Sequence, residues 1–193
     1  MKVTRILYAL VLLGLSLSAG HLEAQKKVLL IVREVSNDME FMLNNEVSVM
    51  IDLMRKAGAE VFVATESGKP MNAGLAKLVP DFKLSMVQMT DYDGIVIPCM
   101  QAGDFENNVP QDAIPIMKEA FAAGKPIAAQ NALEMVGAAG LVAFGSPVAS
   151  APGVVVDGKL LTSYNCPYMA KLNGKPADTY NLIAKFMKLL NSL

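Results

Sequence analysis

Residues 27–33 read Lys-Val-Leu-Leu-Ile-Val-Arg, five aliphatic side chains in an unbroken row between two cations. A strand with one wet face alternates apolar and polar residues. A strand that is apolar at odd and even positions alike must be covered on both sides, which is the signature of a parallel sheet sandwiched by helices. Working outward, Glu46–Lys56 carries apolar residues at Val47, Val49, Met50, Leu53 and Met54 and stops at Gly58, so it predicts an amphipathic helix with a glycine cap. Val61–Thr65 is the next strand, and Ser67-Gly68-Lys69-Pro70 is turn chemistry. Residues 34–43 and 71–90 give no clear period. Gly94–Pro98 (GIVIP) is a third buried strand, Gln111–Ala123 a helix closed by Gly124, Pro126–Gln130 a short strand, and Asn131–Ala139 a helix stopped by Gly140. Val154–Thr162, with Asp157-Gly158 at its centre, predicts a hairpin, and Thr179–Leu193 a closing amphipathic helix. Strands alternating with helices imply right-handed crossovers. The expected fold is α/β, a flavodoxin-like three-layer sandwich with a mostly parallel sheet and helices on both faces.

Composition narrows the chemistry. The chain has 193 residues, 53% of them hydrophobic and 18% charged, with a net charge of −1, which suits one compact domain and excludes a disordered chain. Lys and Arg are scattered, so no electrostatic footprint for nucleic acid exists. The single histidine, His21, lies near the N-terminus, which argues against an imidazole base or a His-ligated metal.

The N-terminus reads as an address. Lys2 and Arg5 precede an apolar run from Ile6 to Leu17 and then Ser18-Ala19-Gly20, the three regions of a secretory signal peptide. The run is shorter than the ~20 residues a membrane span needs. Cleavage is expected after Gly20 or after Ala24, giving an exported mature domain, residues 25–193, with no membrane span. The second cut leaves a net charge of −2 and no histidine.

In open α/β sheets ligands bind beyond the carboxyl ends of the strands. That rule selects Arg33–Glu34, Thr65–Ser67, Cys99–Met100, Gln130–Ala132 and Tyr164–Cys166, a set that holds both cysteines of the protein. No glycine-rich dinucleotide or phosphate loop follows the first strand, so no cofactor is implied. Methionine is plentiful, with Met39, Met42, Met100 and Met169 near the expected crevice. Filler for irregular core gaps is the simpler reading than a soft-metal surface.

Four ordered patterns carry a resemblance. They are Glu46 separated by eight residues from Arg55-Lys56-Ala57-Gly58, then Asp91-Tyr92-Asp93-Gly94-Ile95-Val96-Ile97-Pro98, then Gly124-Lys125-Pro126-Ile127-Ala128-Ala129, and last Asp157-Gly158-Lys159-Leu160-Leu161-Thr162-Ser163. Together they resemble the ThiJ/PfpI superfamily, the type 1 glutamine amidotransferase-like fold of Parkinson disease protein 7 type. The resemblance implies a nucleophile elbow after the strand at Pro126, with a cysteine followed by a histidine. It also implies an acid from the first helix beside that sulfur, and an oxyanion hole from a Gly-Gly pair after the third strand. This sequence departs at the chemistry: the cysteine position is Asn131, the histidine position is Ala132, and the Gly-Gly pair is Cys99-Met100. Glu46 matches the acid.

The expected site is therefore a pocket of Glu46, Cys99, Met100, Gln130, Asn131, Ala132 and Cys166, with no confident catalytic residue. A buried Glu46 needs a partner, and Asn131 is the expected one. Cys99 and Cys166 have three open readings: a disulfide, since an exported chain favours one; free thiols, one of them a displaced nucleophile; or buried inert thiols. Two cysteines and a glutamate lack a fourth good metal ligand without histidine, so a metal is discounted. Ser163, the nearest serine nucleophile, has no histidine to serve as base. The leading expectation is a non-catalytic exported protein that binds a small molecule or a protein partner in the former site. The alternative is an enzyme of altered chemistry, hydrolytic or thiol-redox, with Cys99 or Cys166 and Glu46. A holdase role and a homodimer are implied by the resemblance alone.

Overall fold

The computed structural model describes residues 24–100, 109–142 and 152–193. The expected signal peptide lies outside the described residues but for Ala24. A seven-stranded sheet runs in the order β5-β2-β1-β6-β7-β9-β8. Its strands are β1 (Lys27–Ile31), β2 (Glu60–Thr65), β5 (Phe82–Lys83), β6 (Gly94–Ile97), β7 (Ile127–Gln130), β8 (Val154–Asp157) and β9 (Leu160–Ser163). All neighbours are parallel except the β8–β9 hairpin, where Asp157 faces Leu160. A separate antiparallel pair, β3 (Met71–Ala73) and β4 (Ala76–Leu78), forms a small flap. Among the described residues no helix is long and apolar enough to cross a membrane.

The unbroken apolar strands behave as their composition demands, because alternate residues feed two separate cores. Val28, Leu30, Val63, Val96, Ala128 and Leu161 point to one face, where they meet α1 (Met39–Met42), α2 (Ser48–Lys56) and α6 (Thr179–Leu190). Leu29, Ile31, Ala64, Ile95, Ile97, Ile127 and Ala129 point to the other, against α3 (Ala113–Ala122) and α4 (Leu133–Ala138). This is the flavodoxin-like three-layer sandwich. The helix on the first face is so close that a Cβ on Gly94 would stand 2.9 Å from the Phe186 ring and 3.0 Å from the Pro126 carbonyl. Met39 and Met42 fill the first core and Met100 the second, while Met169 is only half-buried.

Three elements depart from the sequence expectation. The first helix begins at Met39, not Glu46, and passes through a π-helical turn, Leu43–Val47, before resuming as α2. Residues 34–43 read as irregular because 34–38 are not helical and the four residues Met39–Met42 are too few to show a period before the π-turn shifts it. The segment 71–90, without period in the sequence, contains β3, β4, β5 and two short 3₁₀ turns. Finally, α5 (Pro167–Asn173) fills the gap before α6.

Candidate functional site

Four elements converge at the carboxyl edge of β6, β7 and β9. The π-turn turns Glu46 inward, and its carboxyl is 2% exposed. β6 runs through Pro98 into Cys99, which is buried. Past β9, Tyr164-Asn165 leads to Cys166, the residue that precedes Pro167 at the start of α5. Helix α5 is tied to α1 by an edge-to-face pair, Phe41 and Tyr168 (centroids 6.2 Å apart), with Lys171 Nζ 5.3 Å from the Phe41 ring centre. Between the two cysteines, β7 ends in Gln130 and turns sharply at Asn131.

Asn131 is the one described non-glycine residue in the left-handed region, with φ 46°. Asparagine tolerates this conformation better than most side chains. The strand-to-helix elbow is thus retained with a carboxamide at its tip. The helix that follows begins at Leu133, two residues later than the sequence suggests, because left-handed Asn131 cannot belong to it. The Asn131 amide donates to Cys99 Sγ at 3.3 Å and to Cys166 Sγ at 3.7 Å.

Of the three open readings the disulfide is excluded: Cys99 and Cys166 are buried thiols not joined to each other. The strands that lead to them flank β7, and the Asn131 side chain that caps β7 bonds to both sulfurs. The expected Glu46–Asn131 hydrogen bond is also replaced. Glu46 Oε1 accepts the Cys99 backbone N–H at 2.9 Å. In the amide orientation that satisfies its neighbours, Gln130 donates to Glu46 Oε1 and to Thr179 Oγ1, each at 2.9 Å. The Asn131 amide is spent on the two sulfurs instead.

Arg33, at the end of β1, is the residue whose role sequence reasoning missed. Its Nε donates to the Cys99 carbonyl at 2.8 Å and Nη2 to Asp38 at 2.8 Å, so it braces the Cys99 turn from behind. Its Nη1 is buried without a partner. A buried cation at a strand's carboxyl end is a signal visible in the sequence, but its target is set by the fold. Met100 and Ala132 are buried wall residues. Ser163 gives its hydroxyl to Asp178 Oδ2 at 2.9 Å.

The electrostatics follow from that packing. Burial, then the Cys166 sulfur, push the Glu46 carboxyl well above the carboxylate range, against the Cys99 N–H and Arg33. The Cys99 thiol donates to Cys166, and that bond, with burial and Glu46, raises Cys99 far above an ordinary thiol. The same hydrogen bond lowers Cys166 to about 6, helped by the backbone N–H groups of Met169 and Tyr168 and by the Asn131 amide, against burial. One shared proton therefore divides a thiolate at Cys166 from a thiol at Cys99.

The first two backbone N–H groups after Pro98 are both engaged. Cys99 N–H points to Glu46, and Met100 N–H donates to the Asn131 carbonyl at 3.2 Å. The site brings a carboxyl and two sulfurs within 4.8 Å of one another, and neither Cys99 N–H nor Met100 N–H is open to receive an oxyanion.

Residues 26–143 match the DJ-1/PfpI family. No curated protein matches the sequence. Among solved structures, DJ-1beta of Drosophila melanogaster is 23% identical, with a TM-score of 0.61 over 86% of this chain and 90% of that one. A DJ-1 superfamily protein of Agrobacterium tumefaciens is 20% identical, with a TM-score of 0.62 over 86% and 91%. A protein described as putative protease I of Bacteroides thetaiotaomicron is 16% identical, with a TM-score of 0.61 over 86% and 99%. These likenesses are of fold, and the family match covers β1 through α4, the elements that build the elbow and its acid. The chain belongs to the DJ-1/PfpI family.

Proposed function

We propose that this chain is an exported DJ-1/PfpI-family protein that binds a ligand in the former active site and does not hydrolyse. The observation that carries this reading is the elbow itself. Asn131 holds the strained position, and a carboxamide is no nucleophile at neutral pH. Two further features support it: the donors after β6 are consumed internally, and the histidine position is Ala132. Export rests on the Lys2, Arg5 and Ile6–Leu17 leader pattern. The reading is tested by assaying the purified mature protein against peptide, amide and ester substrates. No turnover is expected above a Glu46→Ala control. Turnover that disappears in that variant overturns it. The intact mass of the secreted protein checks the cut after Gly20 or Ala24.

A second reading is favoured by one observation, the Cys99 and Cys166 sulfurs lying within 4.8 Å of each other and of a Glu46 carboxyl oxygen. Such a pair suits thiol chemistry with Glu46 as proton carrier. Alkylation of the native protein by iodoacetamide separates the two. Rapid labelling at Cys166 supports a displaced reactive cysteine, and labelling only after unfolding supports binding.

A further inference from the structure

We propose that Glu46, Cys99, Cys166 and Asn131 form a four-coordinate site for a divalent metal ion of the zinc class. This names the ligand of the site just described and rests on the binding reading. Taken from sequence, two cysteines and a glutamate are one ligand short. The fold supplies the missing vertex.

Three donors already converge, and a fourth lies beside two of them. One carboxylate oxygen of Glu46 and the sulfurs of Cys99 and Cys166 all lie within 4.8 Å of one another, and all three residues are buried. With Zn–S near 2.3 Å and Zn–O near 2.1 Å, a tetrahedral ion sets S···S at about 3.8 Å and S···O at about 3.6 Å. The terminal amide atom of Asn131 stands 3.3 and 3.7 Å from the two sulfurs, which are the lengths of two such edges. Turning that amide over places Oδ1 at the same point and makes it the fourth donor. Two sulfur and two oxygen donors are a set that a borderline divalent ion accepts.

The surroundings match what metal sites require of their second layer. Ligating carboxylates are themselves hydrogen-bonded, which fixes their orientation. Glu46 Oε1 already takes two donors, the Cys99 N–H and the Gln130 amide. Cys99 is held from the other side by the Arg33 Nε bond to its carbonyl. Two thiolates and a carboxylate around a dication leave one net negative charge. Arg33, 2% exposed and with Nη1 lacking a partner, is a buried cation beside that charge. The ligands come from the π-turn, the end of β6, the elbow after β7 and the start of α5, so an ion there would clamp all four elements together. Binding displaces the remaining thiol and carboxyl protons to solvent.

The test uses the full mature protein after chelator treatment and reduction, titrated with Co2+ as an optical probe and with Zn2+ in competition against a chromophoric chelator. One equivalent is expected, with a sulfur-to-cobalt charge-transfer band that Zn2+ abolishes. Cys99→Ser and Cys166→Ser should each weaken Zn2+ by at least about a hundredfold and reduce the band to that of a single thiolate ligand. Asn131→Ala should weaken it by about tenfold, and Asn131→Asp, which offers an anionic oxygen, should restore or tighten it. Circular dichroism of each variant checks that the fold survives. Absence of stoichiometric binding, or Zn2+ affinity unchanged in both serine variants, overturns the metal site. Either failure, alongside a null hydrolase assay, leaves the binding reading intact. Glu46-dependent turnover instead defeats that reading, whatever metal is bound.

Discussion

The interior of the sheet and the cluster just beyond its carboxyl edge lie on the same strands, a few residues apart, and are held by opposite kinds of force. Inside, Leu29, Ile31, Ile95, Ile97 and Ala129 are excluded from water and make no side-chain polar contact. Such contacts are non-directional, and a residue of similar volume serves as well. At the edge, Glu46, Gln130, Asn131, Cys99 and Cys166 are just as buried, yet nearly every polar atom has one particular partner. The difference teaches why a chain can keep a family's fold while its chemistry drifts. Hydrophobic layers constrain volume, whereas a polar cluster constrains identity, atom by atom.

The sharpest way to break this contrast is to damage each region in turn. Phe186→Ala empties a fully buried ring from the first core, and chemical denaturation should show a loss of about 3–5 kcal/mol. If the loss were no greater than that of an exposed residue, the two-core description would fail. In the cluster the cost should depend on chemistry more than size. Glu46→Ala leaves the Cys99 N–H and the Gln130 amide without their acceptor and should cost about 1–3 kcal/mol. Glu46→Gln keeps a carbonyl oxygen for both donors and should cost less than about 1 kcal/mol in the metal-free protein. Equal losses for the two variants would mean that a carbonyl oxygen at this position does not replace the carboxyl as the acceptor of the two donors.

The most direct probe of the shared proton is optical. In the metal-free protein the ultraviolet absorbance of one thiolate should appear with a midpoint near pH 6, and Cys99 should add none through neutral pH. The sign is that of a depressed acid. Cys166 contributes stability that is full above its ordinary thiol value of 9.0 and is lost as pH falls through about 6. Glu46 works the other way, its contribution full below the ordinary carboxylate value and lost as pH rises through its elevated one. A single thiolate step near 9.0 would show that the two sulfurs do not share a proton.

The sheet was legible because its signal is local. A run such as Lys27–Arg33 or Gly94–Pro98 carries its burial in its own composition, and Asp157-Gly158 announces its turn. The flap at Met71–Leu78 was not, since three-residue strands leave no period to read. Helix α5 left two marks that went unread, Pro167 at its first turn and Gly174 at φ 70° beyond its end. For the site, the edge rule collected Cys99, Gln130, Asn131 and Cys166, and the resemblance added Glu46. Who bonds to whom was out of reach. Whether Asn131 faces Glu46 or the sulfurs depends on one backbone torsion, and the part played by Arg33 depends on how a loop 66 residues later passes over it.

The π-turn at Leu43–Val47 carries a consequence for how this chain can vary. Each residue of an α-helix advances about 100° around the axis. A π-turn spreads one turn over an extra residue, so deleting one residue would restore ordinary winding with the flanking turns nearly in place. Met39 and Met42 would stay in the first core, but Glu46, inside the turn, would lose the bulge that aims it at the edge cluster. The segment is therefore locked in length more tightly than in composition: exchange of side chains at exposed Asn44 and Asn45 is tolerable, but the loss or gain of a single position is not.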